Sequence, residues 1–178
     1  MLSTFLLTLF LASPGVPVLR LPFYDWGACP FEGCTYRKWT ANAPTAVLKA
    51  RRKDAPVAFQ LKAGEAVQGL TGVVVTTRTG TVKVFRTTTL GEKQIKVSPG
   101  DEPLLLHYGG EGYWKFWFRG QIDSDQIPDI NDQAPDGELH LRIVTQPLTV
   151  WWVKVRNSRG QEGWTEQTNH FDHMDALE

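Results

Sequence analysis

The chain has 178 residues, 42% of them hydrophobic and 11% aromatic, and its 19 Lys and Arg balance 19 Asp and Glu. That length holds one medium domain or two small ones of about 60 residues, with a core that needs no metal clip. The zero balance excludes the broad basic surface with which nucleic-acid binders neutralise phosphates; the densest basic run, Lys49-Ala50-Arg51-Arg52-Lys53, ends against Asp54 and reads as a solvated loop.

Residues 1–11 are uncharged and apolar, and Ala12-Ser13-Pro14-Gly15 follow as small residues and turn formers. This is the profile of a signal-peptide apolar region, too short for the ~20 apolar residues of a membrane span. Residues 1–15 are therefore expected to be a signal peptide, and the protein to be secreted or periplasmic with no membrane insertion. Residues 16–43 form an N-terminal segment around the two cysteines, Cys29 and Cys34. In an oxidising compartment these are expected to close a tight disulfide loop, with Pro30 and Gly33 suiting the turn and ~2 kcal/mol of stabilisation. A metal reading is poor, because two thiols are half of a tetrahedral site and no His is near in sequence.

From Pro44 onward the chain reads as short strands bounded by Gly, Pro, Asp or Asn, with no window long and periodic enough for a helix. The candidates are 46–50, 57–61, 66–76, 81–86, 94–97, 103–108, 113–119, 139–144 and 149–156. Strands this short and this closely spaced predict a barrel or sandwich. Two of them alternate clearly. In 113–119, Trp114, Phe116 and Phe118 share an apolar face, while Tyr113, Lys115, Trp117 and Arg119 share a mixed one. In 149–156, Trp151, Val153 and Val155 point to the core and Trp152, Lys154 and Arg156 point to water. Trp117 and Trp152 are thereby expected to be large rings among charges. Trp164, beside Gly163, is assigned to the core. Residues 122–138 are acidic and contain Pro, and read as a long exposed loop; residues 169–178 read as a flexible tail.

Residues 46–73 resemble the opening half of a bacterial SH3-like (SH3b) domain. Val47-Leu48-Lys49-Ala50-Arg51 is similar to its strand and Arg-rich turn, Pro56-Val57-Ala58-Phe59-Gln60-Leu61 to its apolar strand, and Gly64-Glu65-Ala66-Val67 to its turn. Residues 151–165 resemble the closing half: a Trp opens a strand, Asn157 to Gly160 turn the chain, and Gly163-Trp164 begins the return. The resemblance implies an all-β fold of small SH3-like barrels. A long stretch separates the halves, which leaves one barrel with a large insertion or two barrels in tandem, the first over 44–80 and the second over 81–168. The parallel between Lys62-Ala63-Gly64-Glu65 and Ser98-Pro99-Gly100-Asp101 favours the tandem.

The expected function is binding without catalysis. A surface of Tyr113, Trp117 and Trp152, with charge from Lys154 and Arg156, is expected to take cell-wall peptide or glycan, or a protein partner, because such rings supply contact area at little entropic cost. The bland alternative packs these rings between barrels. No cofactor, metal or nucleic acid is expected. Two other readings stay open: a secreted enzyme using Cys29 or Cys34, which needs a free thiolate, and a self-assembling structural subunit. Asp123, Asp125, Asp129 and Asp132 lack the spacing of an EF-hand loop, and His170-Phe171-Asp172-His173 reads as a polar tail rather than a metal site.

Overall fold

The computed structural model describes residues 17–129 and 139–177, so the expected signal peptide at 1–15, and 130–138 of the acidic segment, lie outside the described residues. The described chain is all-β, and no helix in it is long and apolar enough to cross a membrane.

The strands are β1 (Phe23–Trp26), β2 (Lys38–Ala41), β3 (Thr45–Leu48), β4 (Val57–Leu61), β5 (Ala66–Arg78), β6 (Gly80–Val84), β7 (Thr88–Leu90), β8 (Ile95–Val97), β9 (Leu104–Gly110), β10 (Tyr113–Phe118), β11 (Gln121–Gln126), β12 (Leu141–Thr145), β13 (Leu148–Asn157), β14 (Glu162–Thr165) and β15 (Phe171–Asp172), with a 3-10 turn at Thr168–His170. They form a curled eight-stranded sheet in the order β15-β2-β5-β13-β14-β3-β4, with β1 added beside β5. A five-stranded sheet has the order β11-β10-β9-β6-β12, and β7 and β8 pair as a separate hairpin.

The expected tandem division is not what the chain adopts. β13 and β14, expected in a second barrel, pair with β5 and β3 of the first, and residues 80–145 make an inserted sheet between β5 and β13. The reason lies in β5, whose run Val73-Val74-Val75-Thr76 is β-branched and buried on both faces and requires a long partner. The ten-residue β13 supplies it, from Leu148↔Arg78 to Asn157↔Val67. The Gly-acid parallel is real as local structure only. Glu65 accepts the Lys62 amide at 3.0 Å and Asp101 accepts the Ser98 amide at 2.9 Å, so the repeat marks two turns of one type rather than two barrels.

The inner face of the large sheet packs Trp39, Val47, Phe59, Leu61, Val67, Val153, Val155 and Phe171 into one core. The inserted sheet has its own core, built on Val82, Leu105, Phe116 and Ile143 with the β7–β8 residues Leu90, Ile95 and Val97. It curls toward closure, since Ile143 donates its amide to the Pro128 carbonyl at 3.1 Å. Gly163 permits the tight approach of β14 to β3, where a Cβ would lie 2.6 Å from the Leu48 carbonyl oxygen.

Two further expectations are corrected. Residues 122–126 of the supposed acidic loop belong to β11, which is fully paired with β10. Their carboxylates serve the β7–β8 turn: Asp125 accepts the Gly91 amide and Asp123 the Lys93 amide, each at 2.8 Å. The Lys93 amide, followed by the Ser124 amide and the Lys93 charge, holds the Asp123 carboxyl below the ordinary carboxylate range. The tail is also ordered through residue 177. Phe171 is buried against Trp39, with centroids 5.7 Å apart, and β15 pairs with β2, so an apolar side chain inside a polar stretch anchors the segment.

Candidate functional site

The expected binding residues do not share a surface. Tyr113 and Trp117 stand on β10 in the inserted sheet, and Trp152, Lys154 and Arg156 on β13 in the large one. Tyr113 is exposed and Trp117 half-buried. Lys154 and Arg156 are both taken by Glu162 across the β13–β14 hairpin, at 2.6 Å and 2.5 Å. Hydrogen bonds from Lys154 and Arg156 keep the Glu162 carboxyl below its usual range. Trp152 requires a correction: the predicted alternation of β13 holds, but the ring is only 6% exposed. The outer face of the sheet is not wet there, because Leu48, Val150 and Trp164 pack over Val73, Val75 and Trp152.

The exposed aromatic cluster lies at the rim of that outer face. Strand register sets it up: Trp26 pairs with Val73, which pairs with Trp152, and Tyr24 pairs with Val75, which pairs with Val150. Cross-strand partners share a face, so Tyr24 and Trp26 extend the outer apolar surface by one strand. Trp164, paired with Leu48, comes from the other side, and its ring meets Trp26 edge to face with centroids 6.3 Å apart. Trp164 is half-buried rather than a full core residue. Trp26 stays 59% exposed and Tyr24 44% exposed.

Arg51 is set over these rings. The loop after β3 is tightened by the Arg52 amide bonding the Ala50 carbonyl at 2.9 Å and the Ala55 amide bonding the Arg52 carbonyl at 3.1 Å. The Arg51 guanidinium carbon then lies 4.4 Å from the Trp26 centroid and 5.4 Å from those of Tyr24 and Trp164. Sequence reasoning missed this site. Tyr24 and Trp26 sit at period two in a strand of only four residues, and Arg51 was grouped with a solvated basic run.

Asp25, between the two rings in β1, points the opposite way and joins the sheets. Its Oδ2 accepts from His107 Nε2 at 2.6 Å and from Lys115 Nζ at 2.5 Å. Burial pushes the Asp25 carboxyl up, but the hydrogen bonds and charges of His107 and Lys115 outweigh it and hold the group below its ordinary value. His107 Nδ1 lies 2.7 Å from the Tyr108 carbonyl, so both ring nitrogens are occupied and neither is left to serve a substrate as a base. Nearby, the buried Thr76 hydroxyl donates to the Leu106 carbonyl at 2.7 Å, a second tie between the sheets.

Cys29 and Cys34 form the expected disulfide, with Cα atoms 5.6 Å apart. Its loop is a junction. The Gly33 carbonyl accepts the Ala176 amide at 2.7 Å, Phe31 meets Trp151 edge to face at 5.9 Å, and the Tyr36 hydroxyl donates to the Ala28 carbonyl at 2.5 Å. Tyr113 lines a cleft of about 480 Å³ between this loop and the β9–β10 turn, together with Glu32 and Glu111. Hydrogen bonding to Glu111, and the charge of that neighbour, raise the Glu32 carboxyl. Among the described residues no group of three or more His, Cys, Asp or Glu side chains is arranged to hold a metal ion. Compared with protein-family models, curated proteins and solved structures, the chain gives no match.

Proposed function

We propose that this chain is an exported, non-catalytic binding module of the SH3-like type that takes cell-wall peptide or glycan on the outer face rimmed by Tyr24, Trp26 and Trp164. The observation that carries the reading is Trp26, an indole 59% exposed beside two further rings and a cation. Trp is highly buried on average, and contiguous exposed apolar surface rimmed by polar groups marks interaction sites. The rings lie on an open sheet face rather than in an enclosed cavity, which suits an extended chain better than a small molecule. The SH3-like assignment is supported by the pairing of the two segments that resemble such a domain. β3, β4 and β5 are neighbours of β13 and β14 in one curled sheet, interrupted by the insertion at 80–145. The disulfide suits an oxidising compartment. A thiol enzyme at Cys29 or Cys34 would first have to open that bond.

Cosedimentation with purified, insoluble peptidoglycan tests the reading, followed by titration of the protein's Trp fluorescence with solubilised wall fragments. Binding with a blue shift, as Trp26 leaves water, is the expected result. Absence of sedimentation with the wall sinks the proposal. A dimer by light scattering that silences the Trp26 signal would assign the face to self-association instead.

A further inference from the structure

Resting on that reading of the outer face, we infer that the ligand presents a carboxylate to Arg51. The basic run 49–53 is not uniform in its partners. Arg52 pairs with Asp54 at 3.5 Å and Lys53 with Glu166 at 3.0 Å, whereas Arg51 has only its ring contacts and no hydrogen bond or ion pair among the described residues. The carboxylate of the β13–β14 hairpin, Glu162, is already shared by Lys154 and Arg156. The Arg51 guanidinium is therefore positioned by Tyr24, Trp26 and Trp164, while its N–H donors have no acceptor among the described residues.

Contact with the aromatic rings holds the guanidinium in place and removes part of the side chain's rotamer freedom in advance. A guanidinium so held is a ready fork for a planar, bidentate anion, and carboxylate matches the fork. The rings around it need an apolar partner at the same time. The ligand chemistry that satisfies both is a polymer in which a carboxylate adjoins an apolar sugar face or aliphatic side chain. Cell-wall polymer carries carboxylates of two origins, on its peptides and on its sugars, and either meets this description.

The test compares native peptidoglycan with the same material after its carboxylates are converted to neutral amides, against the intact protein and its Arg51→Gln variant. Amidation is expected to weaken wild-type binding about tenfold or more, the size of a lost charge-assisted pair. Arg51→Gln is expected to bind the native wall as weakly as wild type binds the amidated wall, and to be indifferent to amidation. Equal wild-type binding to both materials, with binding still strongly weakened by Trp26→Ala, overturns the carboxylate inference and leaves the aromatic face standing. No retention on either material overturns both. If Arg51→Gln lowers the melting temperature, Arg51→Lys replaces it, since it keeps a cation over the rings. It is expected to weaken native binding severalfold and leave amidated binding unchanged, and equal weakening of both contradicts the inference. Retention by glycan strands stripped of their peptides places the carboxylate on the sugar, and retention by the released peptides places it on the peptide. Retention by neither contradicts the proposal.

Discussion

The inner and outer faces of the eight-stranded sheet carry side chains of the same kinds but are covered differently. On the inner face Trp39 is fully buried, enclosed by Phe171 and Tyr36 and resting on Gly69, where a Cβ would come within 2.7 Å of the indole. On the outer face Trp152 is buried only because Leu48, Val150 and Trp164 lie over it, and one strand further out Trp26 is open. A guanidinium lies over Trp26, with the Trp164 ring meeting it edge to face. The inner face puts nearly all its apolar surface into stability. The outer face leaves surface exposed that folding does not require, and such surface is where binding is expected.

Substitutions along this contrast should separate the faces. The largest effect belongs to Trp39→Ala, expected to cost about 3–5 kcal/mol in denaturant unfolding. Trp152→Ala should cost about 3 kcal/mol, because its large ring is buried, though slightly less completely than the inner-face core. A Trp152→Ala variant as stable as wild type would mean that the middle of the outer face is wet after all. Replacing both cysteines by Ser is expected to cost about 2 kcal/mol. It should also speed hydrogen exchange at the Ala176 amide, which bonds to the loop the disulfide closes. Asp25→Asn should cost about 1–2 kcal/mol, because the amide keeps an acceptor oxygen but loses the negative charge that His107 and Lys115 share. Because the folded Asp25 carboxyl is held below its ordinary value, its stabilisation is present above the unfolded value and is lost as pH falls through the folded one. Between about pH 5 and pH 2, Asp25→Asn should therefore lose less stability than wild type does. Trp26→Ala comes last, at below about 1 kcal/mol.

What could be read in the sequence was local. β4 was legible at its own bounds from Val57 to Leu61, and Trp114, Phe116 and Phe118 are buried as their alternation requires. The cysteine loop was legible because its spacing is self-contained. β11 was not, since its ladder to β10 is made by backbone groups and its side chains, half-buried at best, are mostly acidic and polar. The outer-face site was illegible for a different reason. Residues 26, 51 and 164 meet only through register among β1, β5, β13, β14 and β3, and alternation within one strand assigns a face without saying what covers it. Trp152 and Trp26 illustrate this: they share one outer face, one covered and the other open.

The most direct test measures Trp26→Ala for thermal unfolding and for retention on purified peptidoglycan in the same preparation. The melting temperature is expected to stay within about 4 °C of wild type. Retention is expected to fall roughly thirtyfold, as for loss of a central aromatic anchor. A melting temperature that drops as far as that of Trp39→Ala, with retention unchanged, would contradict the assignment of the outer rim to binding.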